Sequence, residues 1–306
     1  MGKFSVGGIF LSAEEKVALE ATAAAITTPG KGITACDESA GTIGDRFDAI
    51  GVVNTEENRR KYRQMLFEAP QCETYLSAAI LDPETMYQKS DTCGKVFTEV
   101  LSKKGIIPGV KPHLKVYTLP GTNGDTVMQG LDSLAARCKE YYKAGARFAK
   151  WRSPLVIDIE KGCPTDLAIR ANMSDLARYA LICQSEGIMP VVEPDVTLKG
   201  THTLEEAVDV NIRVQSELFK AMIDHGVYMA GVTLKTNIVN PGKDCPTNYT
   251  VEEIAEANIF VFEQSFPVAV KGCNYLSGGQ DFATATARLS AINKSNKKGP
   301  WNLRYV

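Results

Sequence analysis

Six of the eight apolar, β-prone runs in this chain end on residues able to do chemistry. They end as Cys36-Asp37-Glu38-Ser39, Val110-Lys111, Lys150-Trp151-Arg152, Val192-Glu193-Pro194-Asp195, Leu234-Lys235 and Leu276-Ser277-Gly278-Gly279. Two lysines and several carboxylates meeting in a partly dry place suit carbonyl chemistry. An amine crowded by a second cation has its ammonium form disfavoured. It is then free to attack a carbonyl and form an imine. Carboxylates nearby pass protons as the carbinolamine forms and dehydrates. Period-two alternation puts Gly231, Thr233 and Lys235 on one face, pairs Lys150 with Arg152, and pairs Glu193 with Asp195. Asp37 is placed to take a proton from a substrate hydroxyl. Singly, a lysine at a strand end is ordinarily a surface or ion-pairing residue, so the coincidence of several at one rim carries the reading.

Ser277-Gly278-Gly279 forms a glycine-rich turn before a helical stretch, offering backbone N–H groups to a phosphate. The pentapeptide Leu276 to Gln280 also matches the signature of transporter ATPases, but neither G-x-x-x-x-G-K-[ST] nor G-x-G-x-x-G occurs. Nucleotide binding is therefore excluded as the main function. The three histidines, at 113, 202 and 225, form no metal-binding pair, and the eight cysteines have no metal-type spacing. No metal or cofactor is expected, and the thiols are expected reduced.

The elements that must position these residues alternate regularly. Candidate strands run over 32–36, 76–81, 106–110, 146–151, 188–192, 229–234, 269–276 and 301–306, with helical stretches between them. Ser12 with Glu15, Thr203 with Glu206, and Thr250 with Glu253 have capping-box spacing. Apolar steps of three or four at Val127, Leu131, Leu134 and Cys138 predict a helix over Thr126 to Ala144. Gly145, Gly187 and Gly226 stand where helices end and strands begin. Eight such repeats predict an α/β fold, a (β/α)8 TIM barrel forming one domain over residues 1–306. The eighth strand reaches Val306 with no helix after it, so the eighth βα unit is incomplete in this sequence. A formal charge of -2, from 34 basic and 36 acidic residues, argues against nucleic-acid or membrane partners held by bulk charge. Met1 to Val6 begins no secretory pattern, and a cytoplasmic protein is expected.

Taken together, Gly32-Ile33-Thr34-Ala35-Cys36-Asp37-Glu38-Ser39, Ala144 to Arg152, Pro190 to Pro194, Leu234-Lys235 and Leu276 to Gln280 resemble the class I, Schiff-base, fructose-bisphosphate aldolases. The resemblance runs from about Gly30 to Trp301. It implies reversible cleavage of fructose 1,6-bisphosphate to dihydroxyacetone phosphate and glyceraldehyde 3-phosphate, with sugar phosphates as the small-molecule partners. By motif position it implies that Lys235 forms the imine, with Glu193 as its acid/base and Lys150 assisting by charge and proton transfer. It assigns Asp37 the hydroxyl proton. Ser277, Gly278 and Gly279 are implied to bind the phosphate near the ketone. Ser39, Arg46, Lys111 and Arg152 are implied to reach the other phosphate or the sugar hydroxyls. The resemblance also implies a homotetramer and a metal-free reaction in glycolysis or gluconeogenesis.

The resemblance also implies a catalytic carboxylate at Asp195 beside the imine lysine; there the chain departs from the family, which usually has glutamate, so a longer contact with Lys235 is expected, and it departs again at Thr236, where proline is usual. Pro112-His113 and Asp45 also replace the usual residues. Up to Val306 it contains no Ser-Tyr-Gly-Arg phosphate motif, closing helix or tyrosine-ended tail. A chain that stopped there would be expected to bind phosphate weakly and turn over slowly. Two alternatives stay open at this point: a catalytically impaired homologue serving as a binding or scaffold protein, and a Schiff-base aldolase for another sugar bisphosphate.

Overall fold

The computed structural model describes residues 7–297 and 299–306. The hexapeptide Met1 to Val6, where the reading of targeting signals began, lies outside the described residues. The strands are β1 (Gly32–Cys36), β2 (Leu76–Leu81), β3 (Ile107–Val110), β4 (Val116–Thr118), β5 (Thr126–Met128), β6 (Phe148–Leu155), β7 (Met189–Val196), β8 (Thr233–Asn237), β9 (Gly272–Leu276) and β10 (Asn302–Tyr305). The helices are α1 (Ala13–Ile26), α2 (Ala40–Asp48), α3 (Glu56–Phe67), α4 (Cys72–Tyr75), α5 (Phe97–Lys103), α6 (Leu134–Lys143), α7 (Asp166–Ser185), α8 (Leu204–Asp224), α9 (Val251–Ser265) and α10 (Phe282–Ser295). Eight strands pair in parallel in the order β1-β2-β3-β6-β7-β8-β9-β10. The last returns beside the first, with the Tyr305 carbonyl 3.1 Å from where a Cβ on Gly32 would sit. The result is a nearly closed (β/α)8 barrel. Strands β4 and β5 form a separate antiparallel hairpin.

Local signals explain most boundaries. All three capping boxes form, opening α1, α8 and α9. Gly145, Gly187 and Gly226 adopt φ of 105°, 73° and 72°, which an L side chain resists, and so turn helix into strand. The helix expected from Thr126 is corrected by the structure: Thr126–Met128 is strand and α6 starts only at Leu134. Gly130 at φ 129° and Ser133 at φ 57° interrupt any helical path between them. Similarly, Met229–Gly231 is a 3-10 turn rather than the start of β8.

Apolar residues fill two layers. The outer one lies between strands and helices, where Leu81, Trp151, Leu234 and Tyr275 meet Leu101, Leu176, Leu218 and Phe262. The inner one occupies the barrel floor. There Ile33, Ala78, Ile80, Phe148, Met189 and Val191 pack on Leu19, Ala23 and Ile26 of α1, which plugs the end. Each large side chain so buried stabilises the fold by ~1.5–3 kcal/mol. Gly109 leaves room for Phe148, since an added Cβ would fall 2.3 Å from that ring. Above this dry floor, the next inward positions of the same strands carry charge.

Candidate active site

Counting up two residues from the floor leads from Phe148 to Lys150, from Val191 to Glu193, and from Thr233 to Lys235. From Ile33 the inward series continues through Ala35 to Asp37. Strand register then aligns the charges. Val191 pairs with Thr233 across β7 and β8, so Glu193 lies level with Lys235 two residues on. All four side chains are less than a tenth exposed. They alternate in sign. Lys150 Nζ lies 2.6 Å from Asp37 Oδ2 and 3.3 Å from Glu193 Oε2, while Lys235 Nζ donates to Glu193 Oε1.

This alternation sets the protonation. Burial pushes the Asp37 carboxyl up, but Lys150, with Lys111 and Lys235 behind it, outweighs burial and holds it at about 2. Burial likewise opposes the Glu193 carboxylate, and Lys150, Lys235 and Arg152 together bring it below the usual range. Lys150 is driven down by burial and up by Asp37 and Glu193, and the carboxylates win. Lys150 is therefore an ammonium at neutral pH. The structure corrects one step of the sequence reasoning here: the second cation does not crowd Lys235 unopposed, because Glu193 stands between the two lysines. The group that can relieve Lys235 of its proton is the Glu193 carboxylate that accepts from it.

The structure corrects the expected contact of Asp195 with Lys235: no hydrogen bond or ion pair joins them, and Lys235 is held by Glu193 instead. Asp195 is a neighbour of Arg152, whose Nε and Nη2 lie 2.7 and 2.6 Å from Asp195 Oδ2. Burial raises the Asp195 carboxyl above its ordinary range, and Arg152 offsets this only in part. Lys111 Nζ donates to Asp82 Oδ2 at 2.8 Å and to the Asp37 carbonyl at 2.7 Å. Asp82 was missed by sequence reasoning although it follows β2 directly, the position read as functional in six other strands. Arg63, also missed, comes from mid-α3 and donates to the carbonyls of Cys36 and Glu38, fixing the backbone on either side of Asp37. No spacing signal could have found it.

Two expected binding residues lie apart from the buried chain of charges. Ser39 caps α2, its hydroxyl accepting from Thr42 N–H at 3.3 Å. Arg46, half exposed on α2, pairs with Glu38 at 2.5 Å. His113 packs edge-on against Trp151 with ring centroids 5.9 Å apart. Burial, then Lys150 and Lys111, push its imidazole well below its ordinary pKa, so it is neutral at pH 7.

Directly after β9, Gln280 N–H donates to the Ser277 carbonyl at 3.1 Å and closes a turn in which Gly279 has φ 83°. Gly278 and Gly279 line a cavity of about 240 Å³ together with Arg152, Asp195 and Asn237. The turn leads into α10, whose N-cap Asp281 accepts from Thr284 N–H. A larger cavity of about 750 Å³, lined by Asp158, Lys161 and His202 among others, contains none of the four central charges. Among the described residues no cluster of His, Cys, Asp and Glu could hold a metal ion. No described helix is long and apolar enough to cross a membrane.

Comparison with known proteins gives the family. The family model for class-I fructose-bisphosphate aldolase matches residues 18–306. A cytosolic fructose-bisphosphate aldolase of Arabidopsis thaliana is 49% identical over 284 residues, covering 93% of this chain and 78% of the relative. An aldolase of Echinococcus multilocularis is 47% identical over 297 residues, covering 97% and 81%. The structure of a Plasmodium falciparum fructose-bisphosphate aldolase, crystallised with TRAP and a small-molecule inhibitor, superposes with a TM-score of 0.95 at 41% identity over 99% of this chain and 87% of that one. On these matches, and on the barrel that carries the charges, the chain belongs to the class I fructose-bisphosphate aldolase family.

Proposed function

We propose that this chain reversibly cleaves fructose 1,6-bisphosphate to dihydroxyacetone phosphate and glyceraldehyde 3-phosphate through an imine on Lys235. The observation that carries the mechanism is the unbroken series Asp37, Lys150, Glu193 and Lys235 in the barrel mouth. Lys235 transfers a proton to Glu193 and its amine adds to the ketone carbon. Glu193 takes in turn the two protons that the nitrogen gives up and passes them to the oxygen, the Lys150 ammonium stabilising the developing negative charge, and water leaves as the iminium forms. Asp37 then takes the proton of the C4 hydroxyl. The C3–C4 bond breaks, its electrons pass into the iminium, and the aldehyde departs from an enamine. Protonation at C3 and hydrolysis release the ketone product and restore the amine. The iminium is the electron sink, so the route requires no metal.

The cations around Asp37 keep it a carboxylate at neutral pH, so it has a free oxygen to accept the hydroxyl proton. In this reading Ser277, Gly278 and Gly279 bind the ketone-side phosphate. Lys111 reaches the other end of the sugar, with Ser39 and Arg46 farther out on the same rim, and Arg152, which lines the cavity beside Gly278 and Gly279, contacts the sugar hydroxyls. The whole chain acts as one domain, in a homotetramer, in the cytosol like the Arabidopsis relative named above.

Borohydride reduction in the presence of dihydroxyacetone phosphate tests the mechanism. The expected result is one stable adduct on the peptide containing Lys235, absent in Lys235→Met. Cleavage of fructose bisphosphate without any adduct would overturn the imine route. Full labelling without cleavage would overturn the assignment as an active aldolase.

A further inference from the structure

Arg288 lies two turns into α10, and its side chain runs back toward the helix start, as helical side chains do. Its Nη1 lies 2.7 Å from Gln280 Oε1. A guanidinium carries only donors. The amide oxygen of Gln280 must therefore face Arg288, which settles an orientation that a glutamine alone leaves open. The two N–H bonds of Nε2 then point away from the arginine, and among the described residues they meet no protein acceptor. Gln280 itself lines the 240 Å³ cavity beside Gly278 and Gly279. Among the described residues Arg288 has no carboxylate within ion-pair distance, and its Nε is buried without a partner. It therefore keeps its charge for the amide.

We propose that Arg288 is a positioning residue for substrate: it holds the Gln280 carboxamide so that its N–H bonds donate to the phosphoryl group seated at the Ser277–Gly279 turn. This rests on the reading of that turn as the ketone-side phosphate site. A phosphoryl dianion takes several hydrogen bonds at once, and the turn supplies a hydroxyl and backbone N–H groups but no cation of its own. Arg288 lends its charge at one remove. The hydrogen bond it donates polarises the amide and strengthens the N–H donors on the far side.

The test compares Arg288→Met, Gln280→Ala, the double variant and Ser277→Ala, with fructose 1,6-bisphosphate cleavage and borohydride trapping as readouts. Trapping uses dihydroxyacetone phosphate and, separately, unphosphorylated dihydroxyacetone. Arg288→Met is expected to raise KM about 3- to 10-fold, the size of one ordinary hydrogen bond, because the Gln280 donors are misplaced rather than removed, with a smaller change in kcat. Trapping of dihydroxyacetone should be unaffected, and Arg288→Met should add nothing in the Gln280→Ala background. Arg288→Lys should restore part of the loss. If Arg288→Met proves unstable, Gln280→Glu retains the contact with Arg288 but turns a carboxylate toward phosphate, and is expected to raise KM beyond Gln280→Ala. An unchanged KM in Arg288→Met or Gln280→Ala, additive effects in the double variant, or equal losses with both trapping ligands would overturn the proposal. In those cases a raised KM in Ser277→Ala means that the relay alone fails. An unchanged KM there means that the turn is not the phosphate site.

Discussion

Replacing Lys150 by methionine keeps the volume and removes the charge between Asp37 and Glu193. Both carboxylates are buried, and Lys150 is the largest force opposing burial for each. Breaking a buried pair by deleting one partner costs ~3–5 kcal/mol. The cost must depend on pH, and the sign follows from linkage. In the unaltered protein Asp37 sits at about 2 and Glu193 is also lowered, so both are ionised from pH 5 to 8 and neither contributes a slope there. Asp37 then contributes stability present above its unfolded pKa and lost as pH falls through about 2. Without Lys150, burial dominates and lifts a carboxyl above its unfolded value. The folded variant now binds a proton that the unfolded chain does not, so its stability falls as pH rises through that window, by up to ~1.4 kcal/mol per pH unit. Urea unfolding of both proteins at pH 5, 6, 7 and 8 measures this directly. The deficit of Lys150→Met should be small at pH 5 and grow by at least ~1 kcal/mol by pH 8. A deficit that stays flat across the range would refute the reasoning, because it would mean that Lys235 and Lys111 already compensate both carboxylates.

Asp37→Asn should lower cleavage of fructose bisphosphate by about 10²- to 10⁴-fold, the usual yield of a general base, while the borohydride adduct with dihydroxyacetone phosphate persists; loss of the adduct would show that Asp37 acts earlier. Gly109→Ala should cost ~1–3 kcal/mol by urea unfolding, because its Cβ would overlap the Phe148 ring in the dry floor of the barrel. Thr203→Ala removes the capping box of α8 and should cost ~1 kcal/mol by the same measurement, leaving KM unchanged. Asp195→Asn frees Arg152 from its anion and should lower KM for fructose bisphosphate about threefold, in proportion to a partly exposed ion pair; a raised KM would show that Asp195 positions Arg152 rather than competes for it.

The sequence was most legible where local chemistry and global fold agree. Capping boxes, helix-ending glycines and apolar runs are local signals, and they located all eight barrel strands to within four residues at either end. The exceptions are informative. Val127, Leu131 and Leu134 fit a helical period by chance, but the glycine at 130 and the left-handed Ser133 end that path, and neither conformation is visible in an apolar count. Period-two parity placed Lys150, Glu193 and Lys235 on the inward face, which is a property of one strand at a time. What parity could not supply is register between strands. Only register puts Glu193 between the two lysines, and that turns an expected cation pair into an alternating series. Arg63 and Arg288 were illegible for a different reason: each acts from the middle of a helix on a loop distant in sequence or in turn.

Register also bears on how a bisphosphate is drawn into a mouth with so many cations. Each cation that the sequence reading assigned to chemistry or phosphate has an anion beside it: Lys150 has Asp37 and Glu193, Lys235 has Glu193, Lys111 has Asp82, Arg152 has Asp195, and Arg46 has Glu38. The free mouth is therefore close to neutral by pairing, consistent with the small net charge of the chain. A phosphate entering it does not meet bare cations but must exchange for a carboxylate on each. Exchange of partners gains less than pairing with a free cation, since each displaced carboxylate, several of them buried, needs a new environment. Affinity must then come from donors that have no anion to displace. The backbone N–H groups of the Gly278–Gly279 turn, the Ser277 hydroxyl and the amide held by Arg288 are such donors, and they gather at one end of the substrate. Binding is thus expected to be anchored at the ketone side, where the imine forms, leaving the aldehyde side on paired cations that release it readily after cleavage.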